Sequence, residues 1–155
     1  MASFTITRHI GAPRDKVFER LSDFRWAPEG IKGIKKVEML TDGPVGVGTR
    51  FKETRIVFKR EASEVMEVTA FNPPTGYTLG CNSCGCRYET EFRLTPRGTG
   101  TDVEMHFAVQ PRTLFAKVMG FLMRPMFKMC LTEMGKDLDD LKASIEGDVR
   151  PAGVG

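Results

Sequence analysis

The charged residues with the clearest chemical potential in this 155-residue chain are Glu53 and Arg55, which lie in a strand-like alternation. Successive side chains of a strand point to opposite faces, so both residues share a face with Phe51. A charge buried beside Phe51 is costly unless it is paired. We therefore expect Glu53 and Arg55 to pair with each other, with Arg8, or with a ligand.

A β-bulge is the alternative, because it would reverse this strand and turn Ile56 and Phe58 inward. The alternation alone leaves both arrangements open. Two further side chains are candidates for acid–base chemistry alongside Glu53. Tyr88 takes the inward parity of its own strand, and Glu133 lies on a predicted helix, where it faces the interior or the flank.

Other catalytic arrangements find no support in the sequence. The chain has two histidines, His9 and His106, and both fall on the outward parity of their strands. It contains no nucleophile elbow, P-loop or dinucleotide-binding motif. An enzymatic reaction would therefore depend on carboxylates, arginine and Tyr88 in a cavity.

Three clustered cysteines form the segment Cys81-Asn-Ser-Cys84-Gly-Cys86. A CxxC pair can bind zinc or exchange thiols, but structural zinc usually takes two separated pairs. The second pair is missing, since Cys130 is the remaining cysteine. Small residues at a strand turn are the favoured interpretation, and we expect neither a metal nor a cofactor.

Composition and charge narrow the class of protein. A hydrophobic fraction of 41% and a charged fraction of 28% are typical of a globular domain. The net charge of +3 is spread along the chain, without the dense basic patch that nucleic acid requires. The sequence shows no signal peptide and no run of about 18 uncharged apolar residues, so we expect a cytoplasmic protein with reduced thiols.

The periodicity predicts the elements that must position these residues. Alternation over Phe4–Ile10 predicts a first strand, and two short helices follow, the first beginning near Pro13. Closely spaced strands pair antiparallel, because parallel strands need long crossovers. Six further strands are predicted at 34–41, 49–58, 62–71, 77–84, 86–95 and 103–109.

A helical period runs from Arg112 to about Glu146. Pro125 lies inside it and should kink the helix, because proline removes one backbone hydrogen bond. The chain is thus predicted to be one α+β domain over residues 1–146, with a disordered tail at 147–155. A helix of roughly 50 Å, at ~1.5 Å per residue, can cover one face of a curved antiparallel sheet of about seven strands. A straight helix fits a curved sheet poorly, and the mismatch leaves space lined by apolar side chains.

Several short motifs follow one another in a distinctive order over about residues 3–146. They are Ile10-Gly-Ala-Pro13 before a helix with Val17-Phe18 and Leu21-Ser22-Asp23, Gly46-Val-Gly-Thr49, Glu67-Val68-Thr69 before Pro73-Pro74, Gly100-Thr101 and Leu141-Lys142. In this order they resemble the SRPBCC superfamily, the START and pollen-allergen-like helix-grip domains that include polyketide cyclase/dehydrase-like proteins. The resemblance implies a helix-grip fold with a cavity for lipids, sterols, polyketides or other apolar molecules, and no single reaction.

We therefore expect a small hydrophobic or amphipathic molecule to bind between the sheet and the C-terminal helix. Plain core packing by the same side chains is the alternative, as are a polyketide cyclase or dehydratase in the same cavity and a protein-interaction module. Methionine is unbranched and polarizable, which suits an adaptable pocket. The expected lining residues are Phe51, Arg55, Met66, Tyr88, Phe92, Met105, Phe107, Phe115, Met119, Leu122 and Met126.

An outer helix stripe is formed by Lys117, Phe121, Arg124 and Lys128. A phenylalanine among cations suits contact with an anionic membrane or a partner protein. A solvated face with one stray phenylalanine is the favoured interpretation.

Overall fold

A computed structural model describes residues 2–57, 59–83, 85–122 and 124–149, with side chains described throughout except at 2, 57, 83, 120–122, 124–131, 148 and 149. Over these residues the chain forms strands and helices in the order that the sequence predicts. The elements are β1 (Ala2–Ile10), α1 (Arg14–Leu21), α2 (Ala27–Gly30), β2 (Ile34–Met39), β3 (Arg50–Val57), β4 (Arg60–Asn72), β5 (Gly76–Ser83), β6 (Cys86–Arg97), β7 (Gly100–Pro111), α3 (Leu114–Leu122) and α4 (Arg124–Val149).

The strands form a single curved antiparallel sheet in the order β1-β7-β6-β5-β4-β3-β2. Strands β1 and β2 lie at its two edges, although α1 and α2 are all that separates them in sequence. These two helices therefore carry the chain from one edge of the sheet to the other. The prediction of an α+β helix-grip fold with a seven-stranded antiparallel sheet is confirmed.

Two helical segments make up the described part of the C-terminal helical region, and residue 123 between them lies outside the described residues. Residues 114–122 form α3 and residues 124–149 form α4. The kink expected at Pro125 stays a prediction, because residue 123 and the side chains at 124–131 lie outside the described part of the structure. Helix α4 continues to Val149, past the predicted end near Glu146, and the rest of the predicted tail lies outside the described residues.

A packed core lies between α1, the concave face of the sheet and the C-terminal half of α4. The Phe24 and Phe51 rings stack at 4.3 Å between centroids, and Phe51 and Leu141 are each 1% exposed. Burial of such side chains stabilises the fold by about 1.5–3 kcal/mol each. We call this end of the sheet, beside α1, the closed end. The opposite end, beside the β5–β6 hairpin and α3, is called the open end.

Acidic side chains of α4 fix it to two loops. Asp140 Oδ2 accepts the backbone N–H of Lys32 at 3.0 Å, and Glu146 Oε2 accepts that of Gly11 at 3.0 Å. Gly11 follows edge strand β1 at the closed end, and Lys32 lies between α2 and edge strand β2. Together they hold α4 in register with the chain segments that enclose the core.

Candidate functional site

Strand β3 places its polar residues on the concave face. Phe51 and Glu53 are buried, whereas Ile56 is 47% exposed on the other face. The pairing of β3 with β4 runs without a register shift from Arg50 to Val57. The strand therefore has no bulge, and Glu53 and Arg55 face inward with Phe51.

Arg55 is held between two carboxylates. Its guanidinium pairs with Glu53 on the same strand, and its Nη2 lies 2.7 Å from Asp137 Oδ2 on α4. The side chains of Arg55, Glu53 and Asp137 are 31%, 11% and 16% exposed. We call these three residues the ion triad; it joins strand β3 to helix α4.

The charges of the ion triad oppose the cost of burial. Burial alone would lower the pKa of Arg55, but the carboxylates of Glu53 and Asp137 raise it above its ordinary value, so the guanidinium stays charged. Burial raises the pKa of Asp137, and the charge of Glu53 adds to this, while Arg55 opposes it. Two carboxylates share one cation, and Asp137 is consequently the one that protonates more readily than usual.

Asp137 was missed by the sequence analysis, which chose Glu133 instead. Glu133 is 63% exposed and lies 3.3 Å from Lys136 at the surface, so it does not face the concave side of the sheet. The inward face of α4 runs through Leu138, Leu141 and Ile145. Asp137 lies one turn before Leu141 on this face, and that spacing was the available signal.

Arg8 lies apart from the ion triad. Its Nε donates to Asp139 Oδ1 on α4 at 2.8 Å, and the two side chains are 36% and 57% exposed. Of the pairings expected for Glu53 and Arg55, the one with each other is present and the one with Arg8 is not.

Tyr77 is a second buried polar residue that the sequence analysis missed. It is 3% exposed, and its hydroxyl donates to the Leu21 carbonyl at 3.1 Å. Burial, and then the charge of Glu53, raise its pKa above the ordinary value. Tyr77 therefore remains a neutral donor that ties α1 to the sheet. Its alternation with Leu79 and Cys81 on β5 was the signal for its inward position.

A thiol and a carboxylate meet on the concave face toward the open end. Cys81 Sγ donates to Glu64 Oε2 at 3.7 Å, and Glu64 lies directly across from Glu53 in the β3–β4 register. Burial, and then Glu64, raise the pKa of Cys81 to about 11. Thiolate is the reactive form, so Cys81 is a poor nucleophile at neutral pH. Cys86 is a free, half-buried thiol, and Cys84 lies outside the described residues.

The concave face is covered unevenly. At the closed end Val68, Leu94 and Val103 are 0–3% exposed. Toward the open end, Met66 and Tyr88 on the inner strands β4 and β6 are half-buried, although they point to the same side of the sheet. Inner strands have neighbours on both sides, so exposure of their concave side chains means that accessible space lies above them. The concave side chains that share this half-buried state are Phe4, Ile6, Met66, Leu79, Tyr88, Thr90 and Phe92.

The residues expected to line a pocket fall into three groups. Phe51, Met105 and Phe107 are 1%, 4% and 9% exposed, and Phe51 and Met105 belong to the packed core. Arg55, Met66, Tyr88 and Phe92 are half-buried on the concave face. Phe115 and Met119 form the third group, on α3, and the side chains of Leu122 and Met126 lie outside the described part of the structure.

Helix α3 turns its apolar side chains outward, which corrects the expectation for Phe115 and Met119. These are 74% and 37% exposed, whereas Ala116 is 4% exposed. The β5–β6 hairpin approaches so closely that a Cβ on Gly85 would lie 3.3 Å from the Ala116 Cβ. Only the small side chain fits this contact, and the larger ones are rotated away from it.

Both histidines lie on the convex face of the sheet, as expected. His9 Nδ1 is 2.8 Å from Asp102 Oδ1, and Thr5 Oγ1 is 2.8 Å from His106 Nδ1. Among the described residues, no three His, Cys, Asp or Glu side chains lie close enough together to hold a metal ion. The groups available for chemistry on the concave side are thus the ion triad, Glu64, Cys81 and the two tyrosines.

Comparison with known proteins assigns this arrangement to a family. Residues 1–146 match the model of the family described as polyketide cyclase/dehydrase and lipid transport. The chain belongs to this family. No curated protein matches the sequence significantly.

Solved structures share the fold of this polyketide cyclase/dehydrase and lipid transport domain at low identity. The protein TTHA0849 from Thermus thermophilus has a TM-score of 0.79 at 16% identity, covering 96% of this chain and 100% of its own. The Zhui aromatase/cyclase from Streptomyces sp. R1128 has a TM-score of 0.76 at 17% identity, covering 98% of each chain. A START superfamily protein from Mycobacterium smegmatis has a TM-score of 0.71 at 17% identity, covering 95% of this chain and 96% of its own. At such identities the similarity establishes the fold alone.

Proposed function

We propose that this domain binds a small hydrophobic or amphipathic molecule on the concave face, between the sheet and the C-terminal helices. The observation that carries the proposal is the half-buried ring of concave side chains on inner strands toward the open end. Apolar and aromatic groups with a few polar ones are the usual lining of a small-molecule site. Membership of a family described by cyclisation, dehydration and lipid transport supports the same function.

The polar groups of this site favour a ligand that donates hydrogen bonds. Arg55 is already held between Glu53 and Asp137, so we assign it to the wall and not to an anionic head group. Glu64 and the neutral thiol of Cys81 lie nearby on the same face. A carboxylate ligand beside Glu64 would meet like charge, whereas a hydroxyl or phenol would meet an acceptor.

Native mass spectrometry of freshly purified protein tests the proposal directly. We expect a co-purified small molecule, or a rise in melting temperature with sterols or hydroxylated aromatic polyketides that exceeds the rise with fatty acid anions. Protein that is free of any adduct and that no compound of these classes stabilises would count against ligand binding.

A space-filling variant gives the matched control. Thr90 faces the concave side on inner strand β6 and is half-buried, whereas Thr95 on the same strand is exposed on the convex face. Thr90→Trp should fill the accessible space and abolish ligand-induced stabilisation, and Thr95→Trp should leave it intact. Equal ligand responses in the two variants would contradict this placement of the site.

A second candidate function is catalysis of cyclisation or dehydration in the same space. It is favoured by a concave carboxylate pair, Glu53 and Asp137, in which the pKa of Asp137 is raised. The similar fold of the Zhui aromatase/cyclase is in keeping with it. We expect Asp137→Asn to abolish any turnover of a poly-β-keto substrate while Glu133→Gln, an exposed carboxylate on the same helix, does not. Absence of turnover by the wild type would leave binding as the function.

A further inference from the structure

The outer face of α3 is apolar and exposed. Leu114, Phe115, Val118 and Met119 are 78%, 74%, 52% and 37% exposed. They form two pairs four residues apart, so they occupy one continuous side of the helix. Contiguous exposed apolar groups of this kind mark a surface that contacts another phase or molecule. We call this set the α3 face.

The charges that flank the α3 face in sequence are of one sign. Residues 105–132 contain no Asp or Glu, and they carry four cations, Arg112, Lys117, Arg124 and Lys128. Residues 133–146 reverse this, with five acidic and two basic side chains. Arg112 and Lys117 are exposed beside the apolar residues, and the other side chains of the predicted outer stripe, from Phe121 onward, lie outside the described residues. An apolar helix face flanked by cations complements a surface that is apolar below and negatively charged above.

We propose that the α3 face docks on a lipid bilayer that contains anionic lipids. A second copy of the chain fits poorly, because a two-fold contact through α3 would bring the same cations together. The face also lies on one side of a helical segment, and an apolar helix face inserts into a fluid interface without needing a complementary groove. The inference stands on α3 alone and does not depend on the proposed ligand.

Docking in this way would place the open end of the sheet against the bilayer. Ala116 packs on the β5–β6 hairpin from the side opposite the apolar residues, and the Arg112 N–H donates to the Gly85 carbonyl at 2.8 Å. The α3 face therefore looks away from the hairpin, toward whatever the open end meets. An apolar molecule leaving the bilayer would reach the half-buried concave residues directly.

Vesicle co-sedimentation tests the proposal with the full chain. We expect binding to vesicles of phosphatidylcholine and phosphatidylglycerol, with weaker binding to phosphatidylcholine alone and loss of the difference at high salt. Phe115→Asp should reduce binding by roughly tenfold or more. It removes the aromatic side chain that would insert into the bilayer, and it adds a charge of the same sign as that of the anionic lipid. Lys117→Glu should reduce binding to anionic vesicles by roughly fivefold or more.

The matched control is Val47→Asp. Val47 is 71% exposed, as apolar and as accessible as the α3 residues, but it lies in the β2–β3 loop at the closed end. Its variant should bind vesicles as the wild type does. The proposal would be overturned if Val47→Asp and Phe115→Asp lost vesicle binding equally. It would also be overturned if the wild-type protein sedimented to the same extent with and without vesicles. A concentration-dependent dimer that Phe115→Asp dissociates, without vesicle binding, would assign the face to a second copy instead.

Discussion

The closed and open ends of the sheet use the same concave face in different ways. At the closed end, α1 and the C-terminal half of α4 cover the face, and Val17, Val68 and Val103 are each 0% exposed. At the open end, side chains of the same parity are half-buried, and the apolar residues of α3 face outward. Alternation thus determines which side of a strand is concave, while the placement of the helices determines which part of that side is core.

The charges of the C-terminal region are divided along the chain. Acidic residues of α4 anchor it to two loops through backbone amides and to β3 through the ion triad. The residues before them, from 105 to 132, include four Lys or Arg side chains and no Asp or Glu. The charges that anchor α4 and the cations that flank the α3 face therefore belong to different parts of this region. Within the described residues, no helix is long and apolar enough to cross a membrane.

The largest expected effect is at the closed end. Phe51→Ala removes a side chain that is 1% exposed and stacked on Phe24. We expect a loss of about 4 kcal/mol in the free energy of unfolding, measured by urea denaturation, because packed surroundings cannot collapse into the cavity. An equal loss on truncating Phe92 would break the distinction between fully buried and half-buried residues of the concave face.

Removing the cation of the ion triad comes next. Arg55→Met leaves Glu53 and Asp137 buried without their partner, and we expect a loss of about 3 kcal/mol at neutral pH. Arg8→Met is the matched control, since the exposed Arg8–Asp139 pair should contribute less than about 1 kcal/mol. Similar losses in the two variants would show that the ion triad is no better shielded from solvent than the surface pair.

The same variant predicts a pH dependence. Burial and Glu53 already raise the pKa of Asp137, and Arg55 opposes them, so removing Arg55 raises that pKa further. The folded variant then takes up a proton at a higher pH than the unfolded chain does. The free energy of unfolding of the variant should therefore rise as the pH falls from the pKa of Asp137 in the folded state toward its pKa in the unfolded chain. The difference in stability between the variant and the wild type should become smaller over this range. A gap that stays constant in acid, measured by unfolding at successive pH values, would contradict this.

A smaller effect is expected at Phe92, a half-buried residue of the concave face. Its ring meets that of Tyr77 at 5.0 Å between centroids. Phe92→Ala should lower the free energy of unfolding by about 1–2 kcal/mol, since part of the side chain is already in contact with solvent. The rise in melting temperature that the ligand causes should be reduced more by Phe92→Ala than by Phe51→Ala, each compared with its own unliganded variant. The reverse order would place the ligand beside Phe51.

The smallest effect concerns reactivity alone. Glu64→Gln removes one cause of the raised pKa of Cys81, after burial. Alkylation of Cys81 by iodoacetamide in mildly alkaline buffer should become roughly threefold faster, as the thiolate fraction increases. Peptide mapping follows Cys86 in the same sample, and its rate should not change. An unaltered rate at Cys81 would mean that burial alone governs the thiol.

Most of the framework was accessible from the sequence. Alternation, Gly/Pro turns and the change to a helical period predicted the strands, their antiparallel pairing and the C-terminal helical region, because these depend on neighbouring residues. The inward parity of Glu53 and Arg55, and their pairing with each other, was one of the arrangements the alternation allowed. The family resemblance, carried by motifs such as Gly46-Val-Gly-Thr49, is confirmed by the match over residues 1–146.

The tertiary structure decided how the helices are rotated and what each inward residue meets. Phe115 and Met119 share the apolar character of a core face, but Ala116 is the side chain that fits against Gly85, so they turn outward. Asp137, rather than Glu133, reaches Arg55 because the inward face of α4 is set by contacts with distant strands. Periodicity gives a helix its faces but leaves its rotation about its own axis undetermined. That rotation depends on contacts between residues far apart in the chain. These contacts buried the apolar side of α4 in the core and left the apolar side of α3 exposed.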